Sequence, residues 1–173
     1  MDKRNLFSYD AETNGLWGAA FAVAAIVETA AGERKTFIGR CPITGDVNPW
    51  VRDNVLPQME AIPENYPDYR TMLQAFCQFW AENKADATPI VHMGCPVEAK
   101  LWIDSHEMGI IGDWDAPYAQ VDLAAFPEIG DSVDTYCAQH NISADAEAFA
   151  GGTHNPLYDS EQALRAYKHY MNW

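Results

Sequence analysis

Two acidic residues stand two positions apart in the segment FSYDAETNGLWG, residues 7–18, where the flanking pattern predicts a buried β-strand. Side chains i and i+2 of a strand point to the same face, so Asp10 and Glu12 should project together, about 6–7 Å apart along the chain. The pair needs compensation, because the two carboxylates repel each other and lose hydration. The compensation is either a divalent cation or a solvated strand edge with basic partners such as Lys3 and Arg4.

Three further residues that could take part in chemistry lie near the ends of predicted elements. In GGTHNPLYDSEQAL, residues 151–164, His154 follows two glycines in a loop and Asp159 begins the last predicted helix. In PIVHMGCPVEAKLW, residues 89–102, Glu98 falls in the first turn of a helix that follows a strand. Each residue also has an ordinary interpretation: a loop histidine, a helix N-cap, and an acid that interacts favourably with a helix dipole.

Composition limits the class of protein. A chain of 173 residues with 48% apolar residues predicts one folded domain spanning 1–173. The net charge of −14 argues against diffuse capture of a polyanion, whereas clustered carboxylates suit divalent cations. The longest apolar stretch, residues 16–27, is shorter than the roughly 20 residues of a membrane-spanning helix, and MDKRNLF lacks a signal-peptide layout. We therefore expect a cytoplasmic location without membrane association.

The pattern along the chain predicts an α/β fold. The predicted strands are residues 6–12, 19–29, 35–40, 88–93 and 117–123. The predicted helices are residues 48–62, ended or kinked by Pro57, and residues 67–84, 96–108, 131–140 and 159–171. An antiparallel meander followed by alternating strands and helices predicts a mixed β-sheet flanked by helices. A ribonuclease H-like fold suits this order, as do several other α/β folds.

Three segments, taken in chain order, resemble the motifs of a known superfamily. YDAETNGL resembles the first motif of the DEDDh 3′–5′ exonucleases, which include proofreading exonucleases, RNase T and oligoribonuclease. IVHMGCPVEAKLW is similar to the second motif, and THNPLYDSEQAL to the third, with four residues between His and Asp. The resemblance covers almost the whole chain. NPWVRDNVLPQM and the compact length are most similar to the small RNase AS-like exoribonucleases.

The resemblance implies a role for each acidic residue and for the histidine. Asp10, Glu12 and Asp159 would bind one Mg²⁺ or Mn²⁺, Asp10 would be shared with a second ion near Glu98, and His154 would be the general base. The chemistry is coherent, because two ions activate water and stabilise the leaving oxygen in an in-line displacement. Hard oxygen ligands suit these ions, and an imidazole accepts a proton near neutral pH.

The resemblance also implies a substrate and the residues that hold it. The partner would be the 3′ end of single-stranded RNA or DNA, shortened with release of nucleoside 5′-monophosphates. Thr13, Asn14, Gly15 and Leu16 would hold the terminal nucleotide, with Leu16 packed on a base. Gly151 and Gly152 would let the His154 loop close on the substrate. Many relatives are dimers, so a homodimer is compatible with the resemblance.

Two positions depart from the superfamily pattern. Glu98 stands where Asp is usual, and Met93 where Asn is usual. A glutamate is one methylene longer, so it either reaches a metal that Asp would contact through water or displaces the second ion.

Two non-enzymatic interpretations stay open. One is a non-catalytic nucleic-acid-binding or regulatory relative of the same fold. The other is an acidic protein-interaction domain in which tryptophans form an interface. Helical spacing predicts that Trp50, Trp80 and Trp102 are core residues instead. Trp114, in GDWDAP, is expected to pack in its loop, with exposure to a nucleic-acid base or a partner as the alternative.

Overall fold

A five-stranded mixed sheet organises the fold of this α/β protein in the computed structural model, which describes residues 4–173. The strands are β1 Asn5–Thr13, β2 Ala20–Glu28, β3 Arg34–Arg40, β4 Ala87–Val91 and β5 Val121–Asp122. They lie in the order β3-β2-β1-β4-β5, with β2 antiparallel to both of its neighbours and β4 parallel to β1 and β5. The strand that carries Asp10 and Glu12 is therefore the central one.

Five α-helices flank the sheet. They are α1 Pro49–Asn54, α2 Tyr69–Asn83, α3 Val97–Glu107, α4 Val133–Gln139 and α5 Pro156–Tyr170, with 3₁₀ turns at Leu56–Met59 and Leu123–Ala125. The predicted order of strands and helices is confirmed, and Pro57 does end the regular α-helix as expected. No helix within the described residues is both long enough and apolar enough to cross a bilayer.

The alternation of side chains along β1 divides the core into two halves. Phe7 and Tyr9 point to one face, where they pack with α2 and α3. Leu6 points to the other face, into a second apolar cluster built mainly from α4 and α5. Because the alternation has a period of two, Asp10 and Glu12 lie on the same face as Leu6. The sheet thus directs both carboxylates toward α5.

Apart from the helix that Pro57 ends, two predicted boundaries differ from the structure by three residues or more. The fifth strand is confined to Val121–Asp122, the two residues that pair with Ile90 and Val91 of β4, and residues 117–120 lie outside this ladder. The last helix begins at Pro156 and not at 159, since the Asn155 side chain caps it and proline suits the first helical position.

Of the two basic residues considered as partners for the strand carboxylates, only Arg4 belongs to the described part of the chain, and it does not pair with them. Lys3 lies outside the described residues. Arg4 is exposed and directly precedes β1, at the opposite end of the strand from Glu12.

Candidate metal centre

Three of the predicted acidic residues meet at one point. Asp10 and Glu12 come from β1 and Asp159 comes from α5, and each offers a carboxylate oxygen within 4.8 Å of the other two. The helix is held against the strand next to this point, because the Ser8 hydroxyl donates a 2.8 Å hydrogen bond to the Ser160 carbonyl. The predicted convergence of these three carboxylates is therefore present in the fold.

The register of the sheet leaves room around the carboxylates. Asp10 is paired with Ala24 and Glu12 with Ala22, so the neighbouring strand presents only methyl groups beside them. The pairing then shifts by one residue between Glu12 and Thr13. The three carboxylates also line an open cleft of about 420 Å³.

The charges in the cleft are poorly compensated by the protein. Burial raises the pKa of Asp10 and of Asp159 well above the usual range, and the neighbouring carboxylates raise it further. Burial also raises the pKa of Glu12, although the nearby His154 opposes this. Among the described residues, those lining the cleft include neither lysine nor arginine. A bound cation would supply the missing positive charge.

His154 lies at the edge of the three carboxylates. Its Nδ1 is 3.6 Å from the Glu12 Oε1 atom, and its backbone N–H donates a 2.8 Å hydrogen bond to Asp159. The interaction with Glu12 raises the pKa of His154. The residue has a φ of +73°, an uncommon conformation outside glycine, and such conformations persist where the surrounding structure enforces them.

The loop that carries His154 is fixed by its neighbours. The Thr153 hydroxyl donates to the Asp134 carboxylate, which also accepts a 2.6 Å hydrogen bond from Gln162 of α5. At Gly151 a Cβ atom would lie 2.5 Å from the Gln58 carbonyl oxygen, so this position requires glycine for close packing. Whether the loop also closes on a substrate stays a prediction.

Glu98 lies in the wall of the same cleft but outside the group of three carboxylates. Its Oε1 accepts a 3.1 Å hydrogen bond from the Ala11 N–H group, and the residue is only 3% exposed. The reason is the length of β4, which pairs with β1 only as far as Ser8 and leaves the Ala11 N–H without a strand partner. Burial raises the pKa of Glu98 to about 8. Its proposed contact with a second ion stays a prediction.

Of the four residues predicted to hold a nucleotide, Thr13 ends β1 and the other three begin the turn that follows it. Asn14 exchanges hydrogen bonds with the segment before α1: its Oδ1 accepts from the Asn48 N–H and its amide donates to the Asp46 carbonyl. Gly15 has a φ of +82°, and a Cβ there would lie 2.9 Å from the Asn48 amide nitrogen. Thr13 is buried at the strand end, whereas Leu16 is exposed and lines the cleft.

The sequence did not reveal one aromatic neighbour of the site. Trp50 was predicted to be a core residue, and this was wrong, because its side chain is 55% exposed and packs edge-on against the His154 ring at 5.2 Å. Its helix has only six residues, too few for apolar spacing to define a buried face. Trp80 and Trp102 are buried as predicted, whereas Trp114, predicted to pack in its loop, is 83% exposed.

No known family model matches this chain, and a search of curated proteins finds no match. Functional conclusions accordingly rest on the sequence motifs and on the geometry of the cleft.

Proposed function

We propose that this protein is a metal-dependent 3′–5′ exonuclease with a ribonuclease H-like fold. It would hydrolyse the terminal phosphodiester bond at the 3′ end of RNA or DNA and release nucleoside 5′-monophosphates. One observation carries the proposal: Asp10, Glu12 and Asp159, drawn from both ends of the chain, meet in an open cleft with His154 beside them. The resemblance to the superfamily motifs implies the same roles for the same residues. The antiparallel meander continued by two parallel strands supports the fold assignment.

The donor set fits Mg²⁺ or Mn²⁺. The ligand atoms would be carboxylate oxygens, the hard donors that these ions prefer. Asp10, Glu12 and Asp159 would hold one ion. Asp10 would also bind a second ion, located near Glu98. When bound, the ions would neutralise the carboxylates, activate a water molecule and stabilise the leaving 3′-oxygen.

The protein's own residues would handle the proton and the substrate. The imidazole of His154 would accept the proton of the attacking water, which requires the neutral form of the ring. The hydrogen bond from its backbone to Asp159 fixes the ring's attachment point relative to the carboxylates. Leu16, exposed on the cleft wall, would pack on the terminal base.

A direct test uses 5′-labelled single-stranded RNA, single-stranded DNA and duplexes with 3′ overhangs. Each is incubated with the protein in Mg²⁺, Mn²⁺ or EDTA. We expect a ladder that shortens from the 3′ end, and EDTA should abolish it. Asp10→Asn should be inactive, whereas the control Asp53→Asn, at an exposed residue paired with its neighbour Arg52, should match the wild type. Metal-dependent binding without shortening would indicate the non-catalytic relative instead.

A further inference from the structure

Asp134 is an acidic residue of the cleft wall that has no part in the proposed chemistry so far. It lies in the first turn of α4 and lines the cleft together with Thr153 and His154. Its Oδ2 atom accepts a 2.6 Å hydrogen bond from the Thr153 hydroxyl, and its Oδ1 atom accepts one of 2.6 Å from the Gln162 amide. The Asp134 carboxylate therefore bridges the loop that carries His154 and helix α5.

The α5 end of this bridge is anchored in the core. Gln162 is buried one turn after Asp159 on the same helix. The Ala144 N–H donates to the Gln162 Oε1 atom at 2.8 Å, which directs the NH₂ group toward Asp134 and toward the Tyr158 hydroxyl at 3.0 Å. A buried amide without partners is costly, so these contacts fix the orientation of the side chain.

The loop end of the bridge holds a strained segment. His154 has a φ of +73°, a conformation that persists only where the surrounding structure enforces it. Thr153, which Asp134 binds, directly precedes it in the chain. Asn155, which follows it, is buried, and its side chain caps α5 by accepting from the Leu157 N–H. His154 is thus held between two residues that are each fixed by hydrogen bonds.

A second link joins His154 to α5, but it ends on a proposed ion ligand. The His154 N–H donates to the Asp159 carboxylate, whose orientation would depend on whether an ion is bound. Asp134 lies outside the group of three converging carboxylates. Its link through Thr153 would therefore hold the loop in the same place with and without the ion.

On the basis of the proposed function, we infer that Asp134 is a positioning residue that acts through Thr153 to hold the His154 imidazole where it meets the attacking water. It touches neither the substrate nor the proton that is transferred. Displacing a reacting group by about 1 Å costs up to about 10²-fold in rate, so the exposed Thr153 hydroxyl is important for catalysis.

Substitutions of Thr153 test this link without disturbing the buried amide. Thr153→Val replaces the hydroxyl by a methyl group, whereas Thr153→Ser keeps the donor. Single-turnover cleavage of a 5′-labelled single strand at saturating concentration in Mg²⁺ should slow by about 10- to 100-fold in Thr153→Val and by less than about threefold in Thr153→Ser. The substrate concentration that gives half the maximal rate should change little, because the link holds the base and not the strand.

The matched control is Thr36→Val, which makes the same change at an exposed position of β3 outside the cleft lining. It should cleave like the wild type. Unchanged melting temperatures would confirm that the Thr153 and Thr36 variants fold.

Substitutions of Asp134 separate the bridge from its charge. Asp134→Asn keeps both bonds, because its oxygen accepts from Gln162 and its NH₂ group donates to the Thr153 hydroxyl oxygen. Its rate should stay within about fivefold of the wild type. Asp134→Ala loses both bonds, so it should cleave as slowly as Thr153→Val, and it should also melt at a lower temperature because the Gln162 amide loses its partner. Equally slow cleavage by Asp134→Asn and Asp134→Ala would overturn the positioning role.

A double variant distinguishes positioning of the base from a general effect on the cleft. In the His154→Ala background, adding Thr153→Val should change the rate by less than about twofold, because the group that it positions is absent. A residue that merely supported the cleft would slow cleavage equally in both backgrounds. The rise in melting temperature on adding Mg²⁺ should be the same in Thr153→Val as in the wild type.

The metal-free protein provides a readout that needs no activity. The NMR order parameter of the His154 backbone N–H should be near 0.85 in the wild type and in Thr153→Ser, and it should fall to about 0.6 or below in Thr153→Val. An unchanged order parameter would show that Thr153 does not hold the loop, and it would overturn the positioning role.

The outcomes separate this inference from the proposed function. Strand shortening by the wild type, combined with wild-type rates in Thr153→Val or with equal losses in both backgrounds, would overturn the positioning role alone. A wild type that shortens no strand in Mg²⁺ or Mn²⁺ would overturn the proposed function, and the positioning role with it.

Discussion

Two acidic residues on α5, only two positions apart, have opposite electrostatic surroundings. Glu161 is 3% exposed, and its carboxylate binds the guanidinium groups of Arg34 and Arg165, the latter at 2.7 Å. Asp159 faces Asp10 and Glu12, and the cleft around it provides neither lysine nor arginine among the described residues. The same helix therefore carries one carboxylate that the protein neutralises and one that it does not.

The contrast extends beyond this helix. Asp104 is also buried, and it pairs with Lys100 at 2.7 Å and with the Tyr69 hydroxyl at 2.8 Å. Glu12 and Glu98 are buried as well, but within residues 4–173 the cleft gives them no lysine or arginine partner. Burying an uncompensated charge is strongly unfavourable, so the fold tolerates these carboxylates at a cost. The difference supports the proposal that a bound ion supplies their positive charge.

Neutralising the carboxylate at each position should affect different properties, the activity at Asp159 and the stability at Glu161. Asp159→Asn should lower exonuclease turnover by at least about 10²-fold, since it would remove a ligand of the proposed ion that stabilises the transition state. Glu161→Gln should keep turnover within a few-fold and instead lower the free energy of unfolding by about 1–3 kcal/mol. Single-turnover cleavage and urea denaturation measure the two effects. Equal loss of activity in both variants would contradict the distinction between an ion-binding Asp159 and a structural Glu161.

Removing the histidine should affect the rate without affecting the ion. His154→Ala should slow single-turnover cleavage by about 10²–10⁴-fold, the usual cost of losing a positioned general base. Its stabilisation by Mg²⁺ should persist, because the three carboxylates remain. Wild-type activity should decline as pH falls through the pKa of His154, which the interaction with Glu12 raises above the usual imidazole value, because protonation removes the base. A variant with wild-type rates would require a different base.

Substitutions of Glu98 test whether this residue faces a second ion or only accepts the hydrogen bond from the Ala11 N–H group. Glu98→Gln keeps an oxygen that accepts the Ala11 N–H, so the fold should stay intact. It removes the charge that we propose faces the second ion, so turnover should fall strongly while Glu98→Asp retains measurable activity. Cleavage rates measured alongside melting temperatures separate the two roles. Wild-type rates in Glu98→Gln would leave this residue with its backbone contact alone.

The uncompensated carboxylates of the cleft should also make the stability of the metal-free protein depend on pH. The pKa values of Asp10, Glu12, Glu98 and Asp159 are raised in the folded protein, so folding favours their protonated forms. Their stabilising contribution is complete below the unfolded values near 4 and is lost as pH rises toward about 8, the value for Glu98.

Melting temperatures in EDTA should therefore decrease between pH 5 and pH 8. Mg²⁺ should reduce this decrease, and Asp10→Asn should melt higher than the wild type in EDTA at pH 8. A metal-free protein whose stability rises across this range would contradict the electrostatic description of the cleft.

The parts of the fold that were predicted correctly depend on local signals. The period-two pattern of β1 was sufficient to place Asp10 and Glu12 on one face, and the element order followed from hydrophobic periodicity. The start of α5 was missed although Asn155 and Pro156 are recognisable cap residues, because Asp159 also resembles a cap.

The remaining features depend on contacts between distant segments. The bond from Glu98 to Ala11 exists because β4 stops pairing at Ser8, and no local pattern reveals where a strand ends its pairing. Trp50 meets His154 across more than a hundred positions of sequence. The same applies to Arg34 and Glu161, so the contrast between the two carboxylates of α5 is visible only in the folded chain.

The most direct test of the central claim, that the cleft binds divalent cations, is the melting temperature of the metal-free protein titrated with Mg²⁺ or Mn²⁺ at pH 7.5. An ion that binds only the native state must stabilise it. We predict a rise in melting temperature for the wild type and for Glu161→Gln, and its loss in Asp10→Asn and Asp159→Asn. No rise in the wild type at millimolar concentrations of either ion, or an equal rise in all four proteins, would contradict the assignment.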